Sequence, residues 1–131
     1  MITLRLSLLA ALLVGCAGVS GLPDVTSATS GLSGQVLLGP TCPGPSRVEG
    51  DPACADRPYR AEINVLRAGQ LVARLGSDAV GEFRVGLRPG SYTLVPLTPP
   101  GAVLPVAARQ SVEVRPDTFA GVVIRYDSGL R

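Results

Sequence analysis

The side chains best suited to chemistry in this 131-residue sequence crowd into residues 39–59, GPTCPGPSRVEGDPACADRPY. Three carboxylates lie there, Glu49, Asp51 and Asp56, interleaved with Arg47 and Arg57, and Arg60 follows immediately. Calcium takes six to eight oxygens, of which three carboxylates and nearby loop carbonyls would supply some, but no ligand spacing of the EF-hand kind accompanies them. The arginines are equally suited to pairing with these acids or to contacting a partner or a phosphate. Tyr59 borders the stretch and is the aromatic placed to act as an exposed platform. Cys42 and Cys54 frame most of it. No metal site follows from this pattern, and a long Pro-rich insertion of this kind is either a binding loop or a merely structural one.

Catalysis has little to stand on. The chain has no histidine, the commonest general base and metal ligand, and no lysine, which removes Schiff-base chemistry. Serines and threonines are plentiful but lack a base to activate them. Asp78 and Glu82 stand four apart across an expected hairpin, where turn formation already accounts for Asp78. The expectation is a protein that is not an enzyme and carries no cofactor. Twelve arginines against ten acids give a net charge of +2 with no block of like charge, so nucleic acid is not an expected partner. Tryptophan is absent, and Tyr59, Phe83, Tyr92, Phe119 and Tyr126 are the five aromatics.

The start of the chain reads as a targeting segment. Residues 1–5 end in Arg5, residues 6–14 are an apolar run interrupted only by Ser7, and Gly15 with Cys16 offers a small-residue cleavage site. A spanning helix needs about 20 apolar residues, and this run is shorter. Leu13-Val14-Gly15-Cys16 resembles the lipobox of bacterial lipoproteins. The resemblance implies removal of residues 1–15 and acylation of Cys16, hence an extracytoplasmic protein anchored to the cell membrane or the outer membrane. If Cys16 carries lipid, Cys42 and Cys54 remain as a pair, and an oxidising compartment favours their disulfide. Two free thiols, or a metal held by both, are the alternatives; two thiolates without histidine do not complete a four-ligand zinc site.

Residues 16–32 are rich in Ser, Thr, Gly and Ala, the composition of a flexible tether. From residue 33 to 131 short apolar runs are cut by Gly and Pro turns, which predicts seven strands at 34–38, 61–67, 70–75, 82–87, 91–96, 110–115 and 121–126. Period-two alternation marks Ile63 and Val65, Phe83 and Val85, Tyr92 and Leu94, Val112 and Val114, and Val122, Ile124 and Tyr126 as inward. Many short strands without a convincing helix predict an all-β, antiparallel sandwich.

The stretch Ser77-Asp78-Ala79-Val80-Gly81-Glu82-Phe83, followed by Leu87-Arg88-Pro89-Gly90-Ser91-Tyr92-Thr93-Leu94, resembles the D-x-x-G-x-F … L-x-P-G-x-Y-x-L pattern of carboxypeptidase regulatory-like domains. That resemblance implies a prealbumin-like (transthyretin-like), Greek-key β-sandwich and is nearly silent on activity, since fold does not give function. Related Cna-B-type modules crosslink Lys to Asn; here Asn64 is the one Asn and Lys is absent. Together these readings predict a non-enzymatic, lipid-anchored envelope lipoprotein. It would be a structural or protein-interaction module that meets the membrane through Cys16 and an envelope protein or cell-wall polymer through the loop. The alternative expectation is an extracytoplasmic module for carbohydrate or calcium.

Overall fold

The computed structural model of the chain describes residues 28–44 and 50–131. The targeting segment, Cys16, Arg47 and Glu49 lie outside the described residues.

Eight strands form: β1 (Gly31–Gly39), β2 (Arg57–Pro58), β3 (Glu62–Arg67), β4 (Gln70–Gly76), β5 (Glu82–Gly86), β6 (Gly90–Pro96), β7 (Gln110–Val114) and β8 (Phe119–Asp127). Each of the seven expected segments holds a strand, and the short β2 is an addition. It arises because the end of the 39–59 stretch pairs back on β1, with Leu37 opposite Pro58 and Leu38 opposite Arg57.

The strands make two sheets. In the first, β1 is central: β8 runs parallel along its whole length, while β5 and β2 pair antiparallel with its first and second halves. The second is wholly antiparallel in the order β4-β3-β6-β7. The expected all-antiparallel arrangement is therefore corrected at one pair, β1 with β8. Period-two alternation reports which face is buried but not strand direction, so the sequence had no signal for it.

The inner faces meet in one cluster. β1 contributes Leu32 and Val36, β5 Phe83, and β8 Val122, Ile124 and Tyr126; from the second sheet come Ile63, Val65, Tyr92, Leu94 and Val114. Full burial of each such side chain is worth about 1.5–3 kcal/mol. Two expected boundaries move. β1 begins at Gly31 instead of residue 34, and Leu32, placed by composition in the tether, is fully buried. A single Leu among Ser and Gly reads as linker; its burial is decided by β5 and β8, which flank it. The last strand likewise extends to Phe119 and Asp127, because β1 offers it nine partners in register.

The expected hairpin at residue 80 is corrected: β4 pairs with β3 and β5 with β1, so the connection crosses from one sheet to the other. Its turn is still built as its residues demand. The Asp78 carboxylate accepts from the amides of Val80 at 3.0 Å and Glu82 at 2.9 Å. Gly81 sits at φ +76°, and a Cβ there would strike the Val36 carbonyl, so glycine alone fits.

The sandwich has two ends. The chain enters β1 beside Gly86 and Phe119. The β3–β4, β5–β6 and β7–β8 turns share this entry pole, since Gly90 opposes Val114 and lies against the Arg67 guanidinium. At the far pole β1 ends beside Asp127. Residues 40–44 and 50–56, the 97–109 crossing from β6 to β7, and the C-terminal residues gather there.

Candidate functional site

The disulfide between Cys42 and Cys54 is formed, with the Cα atoms 5.2 Å apart. It joins the two arms of the far-pole loop. Asp51 opens a short 3₁₀ turn, Pro52–Cys54, and caps it by accepting from the Ala53 amide at 2.9 Å. This is the usual work of an aspartate whose side chain competes for backbone donors. The Thr41 hydroxyl donates to the Ala55 carbonyl at 3.0 Å, tying the arms together a second time.

The loop is then fastened to the end of the sandwich. Arg125, on the outer face of β8, donates to the Asp56 carboxylate at 2.6 Å. The Ser128 hydroxyl donates to the Pro40 carbonyl at 2.6 Å, and the Ser128 amide to the Gly39 carbonyl at 2.9 Å. Asp127 turns the other way. Its carboxylate takes the Arg131 guanidinium at 3.0 Å and accepts from the Gly129 amide at 2.8 Å. These bonds hold it down to about 2, well below the ordinary carboxylate value.

Tyr59 is not an open platform. Its ring meets that of Tyr126 edge to face, with centroids 5.0 Å apart, and it packs on the core cluster. The Tyr126 hydroxyl donates to the Leu97 carbonyl at 2.8 Å. Burial, with the Tyr59 phenol beside it, pushes Tyr126 up to about 12. The expectation of an exposed Tyr59 is corrected here: the residue follows β2, and pairing of β2 with β1 turns the ring inward. Between Tyr59, Arg60, Ser77 and the 97–100 segment lies a cleft of about 480 Å³. A broader trough of about 680 Å³ crosses the outer face of the first sheet over Ser33, Gln35, Glu82, Arg84 and Gly121.

The residues singled out by sequence therefore separate. Cys42, Cys54, Asp51 and Asp56 come together in one stapled loop, but each acid has its own local or cross-chain partner and the two do not converge. Arg57 and Arg60 are exposed. Among the described residues no group of three or more His, Cys, Asp or Glu is placed to hold a metal ion. Asp78, the nearest thing to a catalytic carboxylate, is occupied by two backbone amides. Sequence reasoning missed Arg125, Asp127 and Ser128, which hold the loop and the C-terminus. Arg125 and Ser128 stand about 70 to 90 positions from the groups they touch, and no local pattern announces such contacts; Asp127 pairs with Arg131 four positions on, a spacing the sequence did offer. No helix among the described residues is long and apolar enough to cross a membrane.

No family model matches the sequence, and no curated protein matches it. A solved structure does share its fold: GBS52, the minor pilin of the Gram-positive pathogen Streptococcus agalactiae. The two are 16% identical with a TM-score of 0.53, over 79% of this chain and 47% of the pilin chain. This chain thus spans less than half of that protein's length, and at this identity the likeness is one of fold: an all-β sandwich.

Proposed function

We propose that the chain is an extracytoplasmic, lipid-anchored envelope lipoprotein whose sandwich is a Greek-key, prealbumin-like module of the carboxypeptidase regulatory-like kind. It works without catalysis, as a structural or interaction module. Residues 1–15 are its signal peptide and Cys16 its acylated terminus, and the tether, expected over residues 16–32, gives way to the sandwich where Ser30 bonds to Leu87. The far-pole loop meets an envelope protein or cell-wall polymer.

One observation carries the reading. The disulfide-closed loop is fastened at the pole opposite the one where the chain enters β1, so an anchor before residue 28 would leave the loop facing away from the membrane. A disulfide belongs with an oxidising compartment, which agrees with the Leu13-Val14-Gly15-Cys16 pattern. A minor pilin of the same fold is compatible with a structural role.

The test has two readouts. Wild-type protein should take up labelled palmitate and fractionate with membranes, and Cys16→Ser should appear in the soluble fraction; membrane retention of unacylated Cys16→Ser removes the anchor. A photo-crosslinker at Ala55, in the loop, should capture one reproducible envelope component that a probe at Ala68, in the β3–β4 turn, does not. The same capture from both positions removes the loop from the reading.

A further inference from the structure

The turns of the entry pole carry an excess of positive charge. Arg67 closes β3, Arg88 lies in the β5–β6 turn, and Arg115 follows β7; all three are exposed. Their backbones are held. Gly90, two residues after Arg88, lies against the Arg67 guanidinium, and a Cβ there would come within 2.9 Å of its Nη2. The same guanidinium carbon sits 5.6 Å from the centre of the Tyr92 ring, and the Tyr92 hydroxyl donates to the Arg88 carbonyl at 2.5 Å. The two ion pairs among the described residues, Arg125 with Asp56 and Arg131 with Asp127, both lie toward the far pole. Glu113 and Asp117 are the acids near the entry-pole turns.

The chain leaves the sandwich at this same place. The Ser30 hydroxyl donates to the Leu87 carbonyl at 2.7 Å, and the Leu87 amide donates to the Ser30 carbonyl at 3.0 Å. Ala28 therefore lies next to the turn that carries Arg88. Even fully extended, the chain from Cys16 to Ala28 reaches at most about 40 Å.

We propose that the entry pole is a docking surface for an anionic lipid bilayer, with Arg67, Arg88 and Arg115 set against the phosphates of the headgroups. This deepens the anchored-lipoprotein reading and rests on it for the bilayer's presence. The lipid holds the domain near the membrane, and the arginines choose which end faces it. Each arginine brought against an anionic leaflet raises partitioning about fivefold; with Glu113 and Asp117 offsetting part of the three, this orientation is favoured by about fivefold to a hundredfold at low ionic strength. The preference fades with salt, because the attraction is screened within a Debye length of about 8 Å at physiological ionic strength.

The test removes the anchor from the question. Residues 28–131 contain both sheets and all of their described core, so a chain begun at residue 16 with Cys16→Ser keeps every described contact and carries no lipid. It is floated with vesicles of phosphatidylglycerol and phosphatidylcholine in equal parts, and with vesicles of phosphatidylcholine alone. The expected result is co-flotation with the anionic vesicles only, lost in high salt. Arg67→Gln/Arg88→Gln/Arg115→Gln should lower it about a hundredfold, and Arg57→Gln/Arg60→Gln at the other end should leave it unchanged. Circular dichroism and the thermal midpoint check that each variant is folded. Equal binding to both vesicle types, no binding to either, or a triple variant that floats like its parent overturns the proposal. So does retention by an anionic wall polymer in place of vesicles. Failure of acylation at Cys16 would show instead in the palmitate and fractionation readouts of the wild-type protein, so the two ideas fail separately.

Discussion

The β4–β5 crossover with the following strands and turn, residues 77–94, and the disulfide-closed loop, residues 40–56, are both rich in turn residues, yet they are held in opposite ways. In the crossover stretch the polar work is local. Asp78 serves amides two and four positions on, and Tyr92 donates to a carbonyl four positions back. Its apolar residues, Phe83 and Leu94, go straight to the core. In the loop the Asp51 cap, the Thr41–Ala55 bond and the disulfide are internal. What fastens it to the sandwich comes from far along the chain: Arg125 onto Asp56 and Ser128 onto Pro40. The crossover stretch is part of what makes the sandwich fold. The loop is a passenger fixed to the finished sandwich, and a passenger is free to vary in chemistry without cost to the core.

The comparison breaks most sharply if the core end of the crossover stretch is cut. Phe83→Ala should cost about 3–5 kcal/mol, the usual loss for a large aromatic removed from a packed interior. It should lower the urea midpoint of the whole domain in one transition. A change below 1 kcal/mol would mean that the crossover stretch is as peripheral as the loop. Cys42→Ser/Cys54→Ser should come next. The bond closes a short loop, sequence separation 12, and the chain-entropy model assigns such a loop about 3 kcal/mol. Amide exchange should rise most in residues 40–56 under native conditions, while β5 and β6 lose protection by no more than the fall in global stability. A larger loss in those strands would show that the loop is part of the folding unit.

The same contrast explains what was legible. The turn and the core positions of the crossover stretch could be read because each determinant lies within a few residues of its partner: Asp78 and Gly81 for the turn, Phe83 and Tyr92 at period two for the core; that β4 and β5 go to different sheets could not. The alternation of Val122, Ile124 and Tyr126 gave β8 its inward face equally well. Three things were hidden. The parallel pairing of β8 with β1 depends on strands some 90 positions apart. Leu32 looked like linker because its burial is supplied entirely by neighbours. The site fared worst. The cysteine pair followed from counting and compartment, but Tyr59 turned inward and Asp56 was taken by Arg125, and both outcomes depend on the tertiary meeting of β2, β1 and β8.

Tyr126, where the loop's pole joins the core, sharpens the comparison through pH. Its folded value of about 12 lies above the ordinary phenol value of 10.0. The neutral phenol is therefore favoured by folding, and the stability it contributes is fully present below pH 10 and lost as pH rises from there through 12. Two units correspond to about 2–3 kcal/mol. Urea midpoints should fall over that window in the wild type and fall distinctly less in Tyr126→Phe. Equal slopes for the two proteins would locate the alkaline loss elsewhere.

The smallest effect belongs to the tie that fastens the loop. Arg125 is largely exposed and Asp56 about one-third exposed, and such surface pairs contribute about 0–1 kcal/mol. Asp56→Asn should therefore barely move the midpoint, while the disulfide keeps residues 42 and 54 together. The informative combination is Asp56→Asn in the Cys42→Ser/Cys54→Ser background. If the ion pair and the disulfide hold the loop independently, the two losses add, and exchange in residues 50–56 rises a further step with β1 and β8 unchanged. If one tie only works because the other is present, the second substitution adds nothing, since a loop already released from its far arm no longer presents Asp56 to Arg125. That outcome would make the covalent bond the sole organiser of the loop.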